Sequence, residues 1–216
     1  MIKIENIDVY GFKSAIRGMR NPMNSWDKSD SNCTTIIKDN GKYIADFIGE
    51  NDLKLMQNLC KAGSDHRKFM RMINVTMDIT APLYWWKEYD TYKVGTVANS
   101  CSTMHKIHDR EFTIDDFSYE RCKKERFVER AIEGTLNALN YLREKYLETK
   151  EKSYWETMIQ LLPSSYNQRR TVQVNYETLL NIYNARKNHK LKEWLELCSE
   201  IEKLPYFKEI TGLSND

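Results

Sequence analysis

The chain has 216 residues, and its 33 Lys and Arg against 31 Asp and Glu leave a formal net charge of +2. That balance gives no electrostatic pull toward nucleic acid or an anionic membrane, and no apolar run reaches the roughly 20 residues that a bilayer span requires. The length suits a single domain over residues 1–216, and five scattered cysteines without a CxxC pair (Cys33, Cys60, Cys101, Cys122 and Cys198) read as a reduced, cytoplasmic protein with no disulfide framework.

In chain order, residues 2–10 read as a first strand, since MIKIENIDVYGF lacks the apolar core of a signal peptide. GFKSAIRGMR follows as a short helix, and NPMNSWDKSDSN as a polar loop punctuated by Pro22. TTIIKDNGKYIADFIG suggests two short extended pieces around the turn signal Asp39-Asn40-Gly41. ENDLKLMQNLCKAG sets Leu53, Leu55, Met56, Leu59 and Cys60 at helical spacing, with Gly63 to end the helix. In RKFMRMINVTMDIT, Phe69, Ile73, Val75, Met77 and Ile79 share one face, with Asn74, Thr76, Asp78 and Thr80 on the other. That alternation predicts a half-buried strand, broken by Pro82, which sits near the first turn of a helix in LYWWKEYDTY.

From about Glu120 the pattern turns helical. Phe127, Val128, Ala131, Ile132, Leu136, Leu139, Leu142, Tyr146 and Leu147 form an apolar stripe on a long helix over residues 122–148. A second helix runs to Leu162 and stops at Pro163; RRTVQVN reads as a short extended segment, and ETLLNIYNARK and KLKEWLELCSEIEK as closing helices. Mixed strand and helix followed by mostly helix argues for an α+β domain.

The stretch YDTYKVGTVANSCSTMHKIH, residues 89–108, gathers many small hydrogen-bonding groups without the Gly and Pro spacing of an ordinary turn. Within it Cys101, His105 and His108 stand at i, i+4 and i+7 and would share one face of a helix. Thiolate and imidazole are zinc ligands, but no fourth ligand is fixed, and we assign no metal site. There is no GxSxG elbow, and neither Cys101 nor Ser102 has a base in view beyond His105. Neither GxGxxG nor GxxxxGK[ST] occurs among the eight glycines. A nucleotide would therefore be held by side chains and helix N-termini.

A second constellation is LLPSSYNQRRTVQVNYETLLNIYNARKNHKLKEW, where Asn175, Asn181 and Arg186 fall at spacings of six and five. Leu179, Leu180, Ile182 and Tyr183 can form the buried side between them. Amide edges and a guanidinium fork, preceded by Arg169 and Arg170, suit a planar anionic ligand. Helix capping by Asn175 together with solvated charges accounts for the same pattern.

Three blocks resemble the flavin-dependent thymidylate synthases of the ThyX class, in family order over roughly residues 50–195. ENDLKLMQNLCKAGSDHRKF is similar to the family's helix that ends in Gly and leads to a His near the flavin, a place that His66 takes. VTMDITAPLYWWKEYDTYKVGTVANSCS resembles the family's strand, Ala-Pro and aromatic helix start, followed by its RHRxxSxNExSxRY signature. The third block is the Leu-Pro segment and the helix with Asn175, Asn181 and Arg186. The departures are specific. The RHR triplet falls on Thr91, Tyr92 and Lys93, and the following Ser on Thr96. The Asn-Glu-x-Ser part falls on Ala98, Asn99, Ser100 and Cys101, or with one insertion matches Asn99, Ser100 and Ser102. The later Arg-Tyr becomes Thr103-Met104 or Met104-His105; the Arg before the Leu-Pro becomes Ile159, and the Ala-Gln after the last Arg becomes Leu191-Lys192. Phosphate recognition is then rebuilt, by Lys93, Arg169 and Arg170, or lost.

The resemblance implies a ThyX-like α+β fold with a central, mostly antiparallel sheet flanked by helices and a helical C-terminal half. It also implies a homotetramer with active sites shared between chains. It implies FAD and a dUMP-like pyrimidine nucleotide, with a one-carbon unit passed from methylenetetrahydrofolate to uracil C5 and NADPH regenerating the reduced flavin. By position, Arg186 takes the catalytic role of polarising the pyrimidine. His66, Tyr92, Lys93, Asn175 and Asn181 match flavin-side positions, and Asn99, Ser100, Cys101, Ser102 and Thr103 match the nucleotide loop. The alternatives are a non-catalytic nucleotide-binding protein, or an enzyme modifying a different nucleotide, on the same scaffold.

Overall fold

A computed structural model of the chain describes residues 2–32, 47–119 and 125–213. The extended pieces expected around Asp39-Asn40-Gly41, the helix start at 120–124, and Cys33 and Cys122 lie outside these residues. Strands β1 (Lys3–Tyr10), β2 (Asn74–Pro82), β3 (Thr96–Ser100) and β4 (Asn167–Asn175) form an antiparallel sheet in the order β1-β2-β4-β3. The backbone clusters into two compact units.

The first unit comprises Ile4–Ile79, Tyr92–Asn99 and Thr171–Asp216. Its core begins on β2, where Val75, Met77 and Ile79 are buried and Asn74, Thr76 and Asp78 are half-buried. The strand starts later than the sequence pattern implies, because Lys68–Met72 is a 3-10 turn. Phe69 and Met70 are consecutive and both buried, which a strand with one covered face does not allow but a tight turn does. Helix α1 (Phe12–Arg20) buries Phe12, Ala15, Ile16 and Met19 and packs against that turn. Gly11 precedes α1 at φ 105°, and a Cβ there would run into the Met72 carbonyl, so only glycine fits.

Helix α2 (Glu50–Lys61) buries Met56 and Cys60 and packs on a short helix (Phe207–Thr211) that no sequence pattern announced. Two buried polar groups tie α1 to α2. Arg20 Nε donates to Asp52 Oδ1 at 2.6 Å, and the hydroxyls of Ser29 and Ser31 donate to Asp52 Oδ2 at 2.7 and 2.6 Å. Burial pushes the Asp52 carboxyl up, but the hydrogen bonds from Ser31, Ser29 and Arg20 outweigh it and hold the group below the ordinary carboxylate range.

The second unit comprises Met1–Lys3, Thr80–Thr91 and Ser100–Arg170. Helix α3 (Leu83–Tyr89) follows Pro82 and buries Trp85, Trp86 and Tyr89, whose rings pack edge-on and stacked at centroid distances of 4.9 to 5.3 Å. Trp86 Nε1 donates to the Gln168 carbonyl at 2.9 Å. Helix α4 (Arg126–Thr149) packs on α5 (Lys152–Leu161), around Ile107, Phe112, Phe117, Leu139 and Met158. The predicted stripe on α4 is only partly covered: Ile132 and Leu139 are buried, whereas Phe127 is 86% exposed. Among the described residues no helix is long and apolar enough to cross a membrane.

Candidate functional site

The β4 strand runs straight into α6 (Tyr176–Arg186), in the first unit, and Asn175 is the hinge between them. Its extended backbone (φ −105°, ψ 165°) leaves the side-chain Oδ1 free to accept the Thr178 N–H at 2.9 Å, an N-cap. The other end of the amide meets the loop before β3. Gly95, at φ +72°, lies so close to Asn175 Nδ2 that a Cβ would collide with it. Thr178 Oγ1 adds a hydrogen bond to the Val94 carbonyl at 3.0 Å. Asn175 is therefore a buried joint between α6 and the 93–95 loop. Leu179, Leu180, Ile182 and Tyr183 form the buried side of α6, while Asn181 is exposed.

At the far end of α6, Arg186 enters an aromatic setting. Its Nε donates to the Tyr92 hydroxyl at 2.9 Å, and its guanidinium carbon lies 4.6 Å from the Trp194 ring centre and 5.6 Å from that of Tyr92. Trp194 comes from α7 (Lys192–Glu202), is fully buried, and meets Tyr92 edge-on at 6.0 Å. A cation over an aromatic face gains about 0.5–2 kcal/mol and loses rotamer freedom, so this half-buried guanidinium is pre-oriented. Cys198, on the same helix as Trp194, is no nucleophile. Burial and the Glu202 carboxylate push its thiol up to about 11, against the opposing pull of Arg186.

Near the start of α6, the buried Glu177 accepts from Arg67 Nε at 2.9 and 3.1 Å. His66, next to that arginine, is exposed, as is Lys93. His66, Lys93 and Asn181 are exposed groups able to donate to a carbonyl or phosphate oxygen, and Asn175, which caps Thr178 and packs under Gly95, acts through the 93–95 loop.

The nucleotide-loop residues are set differently. Asn99 and Ser100 end β3 and are exposed. Cys101 is an exposed free thiol whose N–H donates to the Arg169 carbonyl at 2.9 Å and whose carbonyl accepts from Gln168 Nε2 at 2.8 Å. The run that follows is turns and not a helix, so Cys101, His105 and His108 share no helical face. Among the described residues no group of three or more His, Cys, Asp or Glu is placed to hold a metal ion. Ser102 Oγ accepts the N–H groups of Met104 and His105, each at 3.1 Å, and lies 2.8 Å from His105 Nδ1. The Ser102–His105 contact and the two N–H bonds together close this turn. Thr103 is half-buried beside it.

Arg170 is engaged in three ways. It lies 4.2 Å from the Trp86 ring centre, its Nη1 pairs with Asp90 at 2.7 Å, and its Nε donates to Gln168 Oε1 at 3.0 Å. It braces its own unit and is a poor substitute for a phosphate-binding arginine. Sequence reasoning missed this brace, the Arg67–Glu177 pair and the role of Trp194. Only Trp194 left a usable signal, eight residues after Arg186 and inside the amphipathic pattern of the closing helix.

No protein-family model and no curated protein matches the chain. Among solved structures, thymidylate synthase X (ThyX) from Helicobacter pylori with FAD and dUMP is similar over 98% of this chain and 97% of its own, at 16% identity and a TM-score of 0.68. A second, the flavin-dependent thymidylate synthase ThyX of Helicobacter pylori complexed with FAD and dUMP, is similar over 97% and 96% at 15% identity, with a TM-score of 0.65. The chain thus has the ThyX fold, of the α+β class, and the resemblance carried by the three sequence blocks holds for the fold of nearly the whole chain.

Proposed function

We propose that this protein is a divergent ThyX-like enzyme that binds FAD and a dUMP-like pyrimidine nucleotide and transfers a one-carbon unit to uracil C5. The observation that carries this reading is Arg186, presented at the end of α6 over Tyr92 and Trp194 within a ThyX fold. When bound, the flavin supplies the hydride, with NADPH and methylenetetrahydrofolate as co-substrates. Arg186 directs its guanidinium fork at a pyrimidine carbonyl and favours negative charge building up there as the ring is attacked. Tyr92 and Trp194 hold that fork in one orientation before substrate arrives. His66, Lys93 and Asn181 would hold the flavin, and Asn175 fixes the 93–95 loop that carries Lys93. Asn99, Ser100, Cys101, Ser102 and Thr103 face the nucleotide with amide, hydroxyl and thiol groups in place of charges. The active assembly is a cytoplasmic homotetramer.

A non-catalytic nucleotide-binding role is the second reading, and the engagement of Arg170 with Asp90 and Trp86 favours it, since that arginine is withheld from a phosphate. Turnover separates the two. Thymidylate formation from dUMP, folate and NADPH is expected from the purified chain, with a loss of about 100-fold or more in Arg186→Ala, in line with removal of one oxyanion-type donor. Full turnover by Arg186→Ala removes that residue from the chemistry. Flavin and nucleotide binding with no turnover in the parent chain favours the second reading.

A further inference from the structure

A cavity of about 410 Å³ lies along α1 and shares no lining residue with the Arg186 cluster. Three of its lining residues are cations on one helical face: Lys13, Arg17 one turn on, and Arg20 the next turn on. Arg20 is buried and neutralised by Asp52. Lys13 and Arg17 are exposed and make no ion pair, and no carboxylate stands among the lining residues, in each case among the described residues. Both features are locally unfavourable. Like charges one turn apart repel, and Lys13 occupies the first turn of α1, the positive end of the helix dipole, where no acidic residue stands. Local preference broken in this way is a mark of functional sites.

The walls are already rigid. Ser29 and Ser31 line the cavity with their hydroxyls fastened to the buried Asp52 carboxylate. Trp26 lines it too, at 51% exposure, with its indole N–H donated to Asn21 Oδ1 at 2.9 Å, which fixes the ring plane. A fixed aromatic face beside two unmatched cations, in a space of small-ligand size, defines a bipartite ligand. We propose that this cavity binds a small phosphate ester bearing a planar ring, the phosphate between Lys13 and Arg17 and the ring against Trp26.

The test is calorimetric titration of the full chain with phenyl phosphate, alongside inorganic phosphate and benzyl alcohol. Phenyl phosphate binds more tightly than either fragment, and its affinity falls as salt is raised. The Lys13→Ala/Arg17→Ala double variant weakens it by about tenfold or more, as loss of charge-assisted hydrogen bonds requires. Trp26→Ala weakens it several-fold, and Lys13→Arg/Arg17→Lys retains it. Lys13 and Arg17 are exposed, so their variants keep the fold, which circular dichroism checks. Absence of binding overturns the proposal. So does a loss confined to Arg186→Ala, or inorganic phosphate binding as tightly as phenyl phosphate with Trp26→Ala silent.

Discussion

Arg186 is placed by its surroundings: its guanidinium lies over the Trp194 and Tyr92 rings, and its Nε donates to the Tyr92 hydroxyl, so its orientation is set by aromatic neighbours from a loop and a helix. Tyr92→Phe keeps the ring and removes the hydroxyl. It is expected to cost about 1 kcal/mol or less in stability while weakening nucleotide binding several-fold. Urea unfolding beside a dUMP titration reads both, and unchanged nucleotide affinity contradicts the positioning role. Asp52 makes a second residue-scale prediction. Its folded carboxyl titrates below its unfolded value, so the stabilisation is present above the ordinary aspartate range and is lost as pH falls through the folded value. Asp52→Asn breaks a buried pair and should lose about 3–5 kcal/mol near neutrality. The gap to the parent chain should close in acid, and a gap independent of pH contradicts this.

Between elements, the joint at Asn175 decides where α6 begins and where the 93–95 loop lies. Gly95→Ala puts a Cβ into that joint at a positive φ and should cost about 1–2 kcal/mol from the backbone alone, with more from the collision. Asn175→Ala removes the cap for about 1 kcal/mol. Unfolding of the two single variants and the double variant measures the joint directly: if the two costs simply add, the loop and the cap are not coupled. Much of this level was legible in the sequence. The period-2 alternation in β2 and the helical spacing in α1, α2 and α6 are signals that the local backbone itself obeys. Other elements were hidden for physical reasons. Lys68–Met72 turns tightly because two adjacent apolar residues are both buried, and Phe207–Thr211 is too short to show a period. The small polar residues of β3 are exposed on nearly every position, so no alternation marks them as a strand.

At the scale of the molecule, a ThyX fold persists at 16% identity to a solved ThyX structure. Burial pattern and capping specify the scaffold and survive wide substitution, whereas a charged signature is a small set of side chains that can change without disturbing it. The site was correspondingly less legible than the fold. The Asn175, Asn181 and Arg186 spacing could be read from sequence, but the burial of Asn175 under Gly95 and the withdrawal of Arg170 depend on residues far away in the chain. The exposed Phe127 on α4 belongs to this scale too. In a homotetramer that covers it, Phe127→Glu should shift the assembly toward smaller species on size-exclusion chromatography with light scattering. An unshifted tetramer places the interface elsewhere. The most direct test of the central claim is the visible absorption of the purified protein after incubation with FAD, with and without dUMP, followed by removal of free flavin. The account predicts that flavin bands are retained and that dUMP perturbs them. Loss of all flavin under both conditions would contradict it.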